Sequence, residues 1–199
     1  MKSLEETYSE SFFCRRNKLS WRADILCPVI IDIMNPKNVI DVGCAIGDFV
    51  KWFENHQVES VGIEGSHGAR KYAMTDKILY FDIRIPLINE EFRFNFDLAM
   101  SIEVAEHIEP QYADVYVKNL TMMSENLLLT IAGPGQKGHS HVNLQPMTYW
   151  DGLFAKFNYY RHAVIESKLK GALHLHRNNR WVRAITNNLY FYQRGNNGK

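Results

Sequence analysis

The sequence has 199 residues, enough for one domain with a sizeable core, and its 46% hydrophobic and 23% charged content is ordinary for a folded protein. No apolar run approaches the ~20 residues that span a bilayer, and the polar, acidic beginning does not resemble a signal peptide, so we expect a cytoplasmic protein with no membrane partner.

The net charge of +1 is unevenly distributed, because residues 1–133 carry −7 and residues 134–199 carry +8. The basic third could attract an anionic substrate or nucleic acid, or could be a solvated surface.

Predicted strands and helices alternate along the chain. Residues 4–35 have roughly helical spacing, interrupted at Pro28, and predict one or two leading helices. Strands are predicted at 39–42, 58–64, 78–81, 96–101 and 126–132. Helices are predicted between them at 48–55, 67–74 and 110–123. After a loop at 133–138, the pattern predicts a helix at 146–157 and two closing strands at 159–167 and 181–193.

This alternation favours a parallel sheet with helices on both faces, and ligands should bind beyond the carboxyl ends of the first four strands. We expect a leading helical segment at 1–35 that covers the ligand cleft, one domain at 36–194, and a disordered tail at 195–199. Tyr8 in the leading segment is a candidate lid residue. Residues 171–183 combine arginines with Trp181 and could hold an anionic substrate or a nucleic-acid backbone, or form a solvated edge.

The turn after the first predicted strand is the most informative segment. Asp41 ends an apolar run and is followed by Gly43, Cys44, Ala45 and Gly47, which predicts a glycine-bearing turn that opens a helix. Backbone N–H groups can face a ligand in such a turn. Because Ala45 occupies the middle position of the G-x-G-x-x-G pattern, an NAD-dependent oxidoreductase is only a distant alternative.

Two further carboxylates end the next two predicted strands. Glu64 falls 21 residues after Gly43, where a carboxylate can accept hydrogen bonds from ribose hydroxyls. Asp82 ends the third strand, where it can accept from an adenine amino group while Ile83 covers the ring. Neighbours at the strand ends complete the predicted cofactor site: Gly65, Ser66, Ser101, Ile102 and Glu103.

Together these residues resemble the cofactor site of class I S-adenosylmethionine (SAM) methyltransferases. Residues 101–107 resemble their EVxEH segment, and residues 132–143 resemble a bacterial subgroup with a Pro-Gly-Gln-x-Gly loop and a His-Val-Asn turn. The resemblance implies SAM as the cofactor. It also implies a doubly wound, mostly parallel seven-stranded α/β sheet with helices on both faces, in the order 3-2-1-4-5-7-6 with strand 7 antiparallel. It is nearly silent on the acceptor.

Three histidines near the predicted cleft are candidate catalytic bases. Methyl transfer from a sulfonium needs an aligned acceptor and, for a hydroxyl or protonated amine, a group that removes a proton near pH 7. His141 is the first candidate, His107 the second and His139 the third. Each could instead have a structural role.

A metal site is the alternative interpretation of the same region. Glu103, Glu106 and His107 place two carboxylates and an imidazole within one turn, and His139 or His141 could complete the set. Methyltransferases that act on the terminal ribose of small RNAs have a similar Glu-x-x-Glu-His segment. The resemblance to them implies a divalent cation that binds two terminal hydroxyls and lowers the pKa of the attacked one. The same pentapeptide also occurs in methyltransferases without a metal.

The expected function is an enzyme that transfers a methyl group from SAM to O or N of a small-molecule acceptor, such as a metabolite, natural product or sugar. A chain of this length leaves little material for a separate domain that binds a macromolecule. The second hypothesis is an RNA methyltransferase that uses the basic third, with or without a metal. The third is a SAM-binding regulatory protein without catalytic activity. The sequence does not indicate an oligomeric state.

Overall fold

A computed structural model describes residues 3–87 and 96–195 of the protein. Within them, one sheet contains seven strands: β1 (Asn38–Val42), β2 (Glu59–Glu64), β3 (Ile78–Tyr80), β4 (Leu98–Ser101), β5 (Asn126–Thr130), β6 (Tyr159–Arg161) and β7 (Leu189–Arg194). Their order is β3-β2-β1-β4-β5-β7-β6. Strands β1 to β5 are parallel to one another, and β7 is antiparallel to both β5 and β6. The predicted strand order and the antiparallel seventh strand are confirmed.

Helices lie on both faces of the sheet. Those in the described part are α1 (Leu4–Thr7), α2 (Glu10–Arg16), α3 (Ala23–Met34), α4 (Asp48–Asn55), α5 (Ala113–Met123), α6 (Met147–Ala155), α7 (Ala163–His174) and α8 (Arg180–Asn188). Short 3₁₀ segments cover Asn17–Arg22, His67–Tyr72, Ala105–His107 and Pro110–Tyr112. None of the helices in residues 3–87 and 96–195 combines the length and apolar character that a bilayer crossing requires.

Neighbouring residues of the central strands are buried on opposite faces of the sheet. In β5, Leu127 and Leu129 pack with residues of α5 and α6, whereas Leu128 packs with residues of α3, α7 and α8. This alternation follows from the two-residue repeat of a strand, and both faces are apolar because helices cover both. The core therefore has one layer on each face of the sheet, and a binding site can form at the ends of the strands.

The predicted strands at 159–167 and 181–193 are wrong for most of both segments. Strand β6 ends at Arg161 and is followed by helix α7, and helix α8 precedes β7. In α8, Val182 and Ile185 are buried at helical spacing, and the Asn179 side chain accepts from the N–H of Trp181 at 2.9 Å. The capping asparagine and the three-residue repeat outweigh the aromatic, β-branched composition that favours a strand.

Smaller differences occur at the N-terminal side and at the end of the chain. Pro28 lies inside α3 without ending it, so the predicted interruption is wrong, and the leading segment contains α1, α2 and α3. The predicted helix at 67–74 is a 3₁₀ segment. The predicted disordered tail lies outside the described residues except for Gly195, whose N–H donates to the Asn158 carbonyl at 2.7 Å.

Asn119 of α5 holds the loop that follows β3. Its side chain is fully buried. The amide nitrogen donates to the carbonyls of Ile83 and Ile85, both at 2.9 Å, and the amide oxygen accepts from the N–H of Leu87 at 3.1 Å. One side chain thus replaces the backbone partners that this irregular segment lacks.

Replacing Asn119 by Ala should lower the free energy of unfolding by about 1–3 kcal/mol, because buried backbone groups lose their partners. Denaturant titration followed by circular dichroism measures the change. The control is Asn178→Ala, an exposed position whose side chain makes no hydrogen bond in the described part of the chain; it should shift stability by less than about 0.5 kcal/mol. Equal effects of the two substitutions would contradict the role given to Asn119.

Candidate active site

A cavity of about 630 Å³ opens at the carboxyl ends of β1, β2 and β4. This is the position at which ligands bind in open parallel sheets. Residues of α1, α2 and the loop after β5 form its other walls. The sequence-predicted site residues that line it are Gly43, Ala45, Glu64, Gly65, Asp82, Ile83, Ile102, Glu103, His107, His139 and His141. Those that do not line it are Asp41, Cys44, Gly47, Ser66, Ser101 and Glu106.

The turn between β1 and α4 has the left-handed backbone that its glycines allow. Gly43 (φ 80) and Gly47 (φ 76) adopt it, and so does Ala45 (φ 52), for which it is unfavourable. A Cβ at position 43 would lie 2.4 Å from Cγ2 of Val104. Glycine at 43 is therefore required by packing inside the protein as well as by the backbone angle.

Several predicted cofactor residues support the cavity from behind. Asp41 is buried beneath the turn, its Oδ2 has no hydrogen-bond partner in the described residues, and burial raises its pKa well above the usual range. Cys44 packs on Gly62, where a Cβ would come within 2.5 Å of its Sγ. The Ser101 hydroxyl donates to the Val42 carbonyl at 2.9 Å. Their side chains do not face the cavity.

Glu64 joins two turns with one buried carboxylate. Its Oε2 accepts from the N–H of Ala45 at 2.9 Å, and its Oε1 accepts from the N–H of Ser66 at 2.8 Å. Burial raises the pKa of Glu64 to about 7, although these hydrogen bonds oppose the shift. A ligand hydroxyl that donates to this carboxylate would favour its charged form.

Asp82 is held by Arg84, a residue that was not predicted for the site from the sequence. Arg84 donates to both carboxylate oxygens, with Nη2 to Oδ2 at 2.8 Å and Nε to Oδ1 at 3.0 Å, and its Nη1 donates to Glu109 at 3.1 Å. Burial alone would raise the pKa of Asp82, but the hydrogen bonds from Arg84 outweigh it and hold the pKa below its usual value. Asp82 is thus a fixed, charged acceptor at the cavity wall.

Two histidines after β4 and β5 are held in the same way, each by a hydrogen bond at Nδ1. His107 Nδ1 lies 3.1 Å from the Ser140 carbonyl, and His141 Nδ1 lies 3.0 Å from the Gln136 carbonyl. A carbonyl can only accept, so we assign the ring proton to Nδ1 and a lone pair to Nε2 in both rings. The two ring centroids are 5.0 Å apart.

Glu106 is the carboxylate that these histidines face. It is fully buried, and no side chain among the described residues donates a hydrogen bond to either oxygen, while the backbone N–H groups of Glu106 and Ala132 lie near enough to oppose the pKa shift caused by burial. His141 Nε2 is 4.0 Å from its Oε1. Burial, followed by repulsion from Glu103, raises the pKa of Glu106 to about 8, and burial lowers the pKa of His107 to about 4. Three atoms that could bind a metal, one from each of Glu106, His107 and His141, lie within 4.8 Å of one another.

The remaining members of the predicted catalytic and metal sets are placed differently. Glu103 adopts a left-handed backbone (φ 61), and its Oε1 accepts from the Thr130 hydroxyl at 3.1 Å. It lies outside the group formed by Glu106, His107 and His141. His139 is exposed and stacks on Phe12, with ring centroids 5.8 Å apart. The leading segment therefore directly contacts the loop after β5 that carries His139 and His141.

Two arginines of the leading segment belong to the cavity wall but were not predicted from the sequence. Arg16 and Arg22 line the cavity, and Arg16 Nη2 lies 3.8 Å from Asp48 Oδ1 at the start of α4. Neither Arg16 Nη1 nor Arg22 Nε has a hydrogen-bond partner in the described residues. No local motif marks them, because they reach the site only through the packing of the leading segment on the sheet.

A family model described as a methyltransferase domain matches residues 20–172. The chain belongs to this methyltransferase family. The cavity is therefore the candidate active site of a methyltransferase, and its position at the strand ends is the one predicted from the sequence. No protein in the set of curated sequences matches this chain.

Solved structures share the fold of this methyltransferase. The methyltransferase domain of bacterial CtHen1-C is 18% identical over 72% of this chain and 87% of its own, with a TM-score of 0.55. Human N-acetylserotonin methyltransferase, solved with SAM, is 11% identical over 96% and 58%, with a TM-score of 0.61. The O-methyltransferase NcsB1 from neocarzinostatin biosynthesis, solved with S-adenosylhomocysteine and a dihydroxynaphthoic acid, is 11% identical over 77% and 54%, with a TM-score of 0.56.

Proposed function

We propose that this methyltransferase transfers a methyl group from SAM to an oxygen or nitrogen of a small-molecule acceptor, such as a metabolite, a natural product or a sugar. The observation that carries the proposal is a single cavity with the buried Glu64 carboxylate on its β2 side and two histidines with Nε2 lone pairs beyond β4. A cavity of about 630 Å³ suits a cofactor and a small acceptor. The cytoplasmic location stays a prediction from the sequence.

The polar groups of the cavity fit SAM, which is the cofactor. When bound, SAM supplies an electrophilic methyl group on a sulfonium. Glu64 has lone pairs left to accept from the ribose hydroxyls, and Asp82 can accept from the adenine amino group while Ile83 covers the ring. Arg16, whose Nη1 has no hydrogen-bond partner in the described residues, can donate to the amino-acid carboxylate.

His141 is the proposed general base. Its Nδ1–H donates to the Gln136 carbonyl, which leaves Nε2 to take a proton from a hydroxyl or a protonated amine. His107 has the same arrangement at Ser140 and is the second candidate. His139 is the third, because it is exposed and stacked on Phe12. The histidine Nε2 atoms would have no role in a SAM-binding regulatory protein, so catalysis is the better proposal.

A second candidate function is metal-assisted methylation of an RNA hydroxyl, and the group at Glu106 favours it. The buried Glu106 carboxylate, which has no side-chain partner within the described residues, and two imidazoles within 4.8 Å form a donor set for a transition metal such as Mn²⁺ or Zn²⁺. The carbonyls that hold each Nδ1–H act as the outer partners that metal-binding histidines usually have. Such a cation would bind the acceptor hydroxyl and lower its pKa. The basic third would face RNA phosphates.

The affinity for SAM should depend on pH through Glu64. A ribose hydroxyl donates to the charged carboxylate, and with a pKa of about 7 only about a tenth of it is charged at pH 6, so the affinity should be about tenfold weaker at pH 6 than at pH 8. Calorimetry is the suitable measurement. Thermal shift is not suitable, because folding raises the pKa of Glu64 from 4.5 to about 7. The fold without ligand therefore becomes less stable as the pH rises from about 4.5 to about 7, independently of SAM binding.

Two variants control this experiment. Glu64→Gln should bind SAM more weakly and without the pH dependence, whereas Glu59→Gln, at an exposed position of the same strand, should behave like the wild type. A wild-type affinity that is flat between pH 6 and pH 8 would refute the role of Glu64.

Replacing Gly138 by Ala should displace the His141 ring. A Cβ at position 138 would lie 2.1 Å from His141 Nε2, whereas one at Gly133 would meet no atom closer than 3.9 Å. With methyl-labelled SAM and a small-molecule cell fraction, the wild type should label an acceptor that mass spectrometry identifies. Gly138→Ala should lower that turnover by about one to two orders of magnitude with little change in SAM affinity.

The control for this substitution is Gly133→Ala, which should keep the wild-type turnover. Undiminished turnover of Gly138→Ala would remove His141 as the base. Label that enters only an RNA fraction would replace the small-molecule proposal by the second candidate.

Metal binding can be tested without an acceptor. Wild-type protein freed of metal with a chelator should bind Mn²⁺ or Zn²⁺ in calorimetry if the second candidate is correct, and Glu106→Gln should lose most of that binding because one charged ligand is gone. Glu125→Gln changes an exposed carboxylate away from the group and should bind like the wild type. Absent binding, or equal binding by both variants, would remove the metal from the mechanism.

A further inference from the structure

A second, more open groove lies beside the active-site cavity. It runs between the 3₁₀ segment Asn17–Arg22 and the first turn of α8, and its lining residues are Trp21, Arg22, Asn179, Arg180, Trp181 and Ala184. Arg22 and Ala184 also line the active-site cavity. A ligand in the groove would therefore reach the wall of the site in which the methyl group is transferred.

Two indole rings form the apolar part of this groove. The rings of Trp21 and Trp181 meet edge to face, with centroids 5.7 Å apart and planes at 84°. Both side chains are partly exposed, so the pair is accessible to a ligand. A planar ligand ring can contact these indoles in the way that heterocyclic bases contact aromatic side chains.

Two arginines flank the indoles. The Arg22 guanidinium lies 5.0 Å from the centroid of the Trp181 ring, and Arg180 is exposed at the groove edge. Neither forms an ion pair within residues 3–87 and 96–195. The sequence from 167 to 199 contains seven Lys and Arg and no Asp or Glu, so the surrounding surface adds positive potential.

We propose that this groove binds a nucleotide-type group, a planar heterocyclic base that carries a phosphate, as the extension of a nucleotide-linked small-molecule acceptor. The base contacts Trp21 and Trp181, and Arg22 and Arg180 bind the phosphate. The assignment rests on the proposed function, because the extension is part of the acceptor. It adds that the acceptor is anionic and is held outside the cavity by a second site.

A small nucleotide suits this groove better than a nucleic-acid strand. Proteins that bind single strands provide aromatic platforms for successive bases along a charged channel. In the part of the chain that the structure describes, this basic surface offers a single indole pair, and the groove leads into the cavity at Arg22 and Ala184. The geometry matches one base and its phosphates.

Tryptophan fluorescence of the full chain, titrated with uridine diphosphate, tests the proposal. Of the four tryptophans, Trp150 is fully buried and Trp52 stacks on His56, so a ligand in the groove should quench the signal of Trp21 and Trp181. Saturable quenching is expected, with weaker binding of uridine alone and of inorganic phosphate alone. Saturating S-adenosylhomocysteine should leave it in place, and competition by that compound would locate the probe in the cofactor site and overturn the proposal.

A matched pair of arginines on α8 distinguishes a site from general charge. Arg180→Ala should weaken the binding of uridine diphosphate by about fivefold or more. Arg183→Ala, also exposed on α8 but outside the groove lining, should change it by less than about twofold. Equal weakening by both, or no binding by the wild type, would overturn the proposal.

Two further results separate the possible failures. If an oligouridylate binds more than tenfold tighter than uridine diphosphate, with a steep salt dependence, the ligand of the groove is RNA and the nucleotide proposal is overturned. Because the titration uses neither SAM nor methyl transfer, a failure of the proposed enzymatic activity would leave its result unchanged.

Discussion

The active site depends on the hydrogen bonds that Glu64 accepts. The turn after β1 and the turn after β2 come from different strands, and this one carboxylate fixes both through the N–H groups of Ala45 and Ser66. The left-handed conformation of Ala45 costs about 1–2 kcal/mol, which the bond to Glu64 offsets. The same burial that makes these bonds effective raises the pKa of Glu64 to about 7. Its positioning role and its sensitivity to protons therefore have one origin.

The cavity is assembled from segments that are distant in sequence. The sheet supplies strand ends, the loop after β5 supplies His141, and the leading segment contributes Arg16 and aromatic side chains to the lining. The contacts of this segment with the rest of the site include the hydrogen bond from the Ser66 hydroxyl to the Tyr8 carbonyl, the Arg16–Asp48 ion pair and the stacking of His139 on Phe12. The leading segment is thus part of the site, although residues 1–35 carry no recognisable motif.

The sequence predicted the sheet well because its central strands are apolar on both faces, and the strand ends could be located from Asp41, Glu64 and Asp82. It failed at α8, where buried Val182 and Ile185 repeat at helical spacing within an aromatic segment that looks like a strand. It also failed to find Arg16 and Arg22, since only tertiary packing brings them to the cavity. Carboxylates at strand ends have a position that topology fixes, whereas side chains from covering helices do not.

The packing of Gly138 on the His141 ring has a consequence for how this family can vary. The backbone at 138 lies at a φ that any residue can adopt, so the glycine is not there for the turn; it is there because the imidazole occupies the volume of a side chain. The two positions are therefore constrained as a pair. Among homologues, a larger residue at 138 should accompany the loss of the histidine, and the retained pair would mark the members that use this ring.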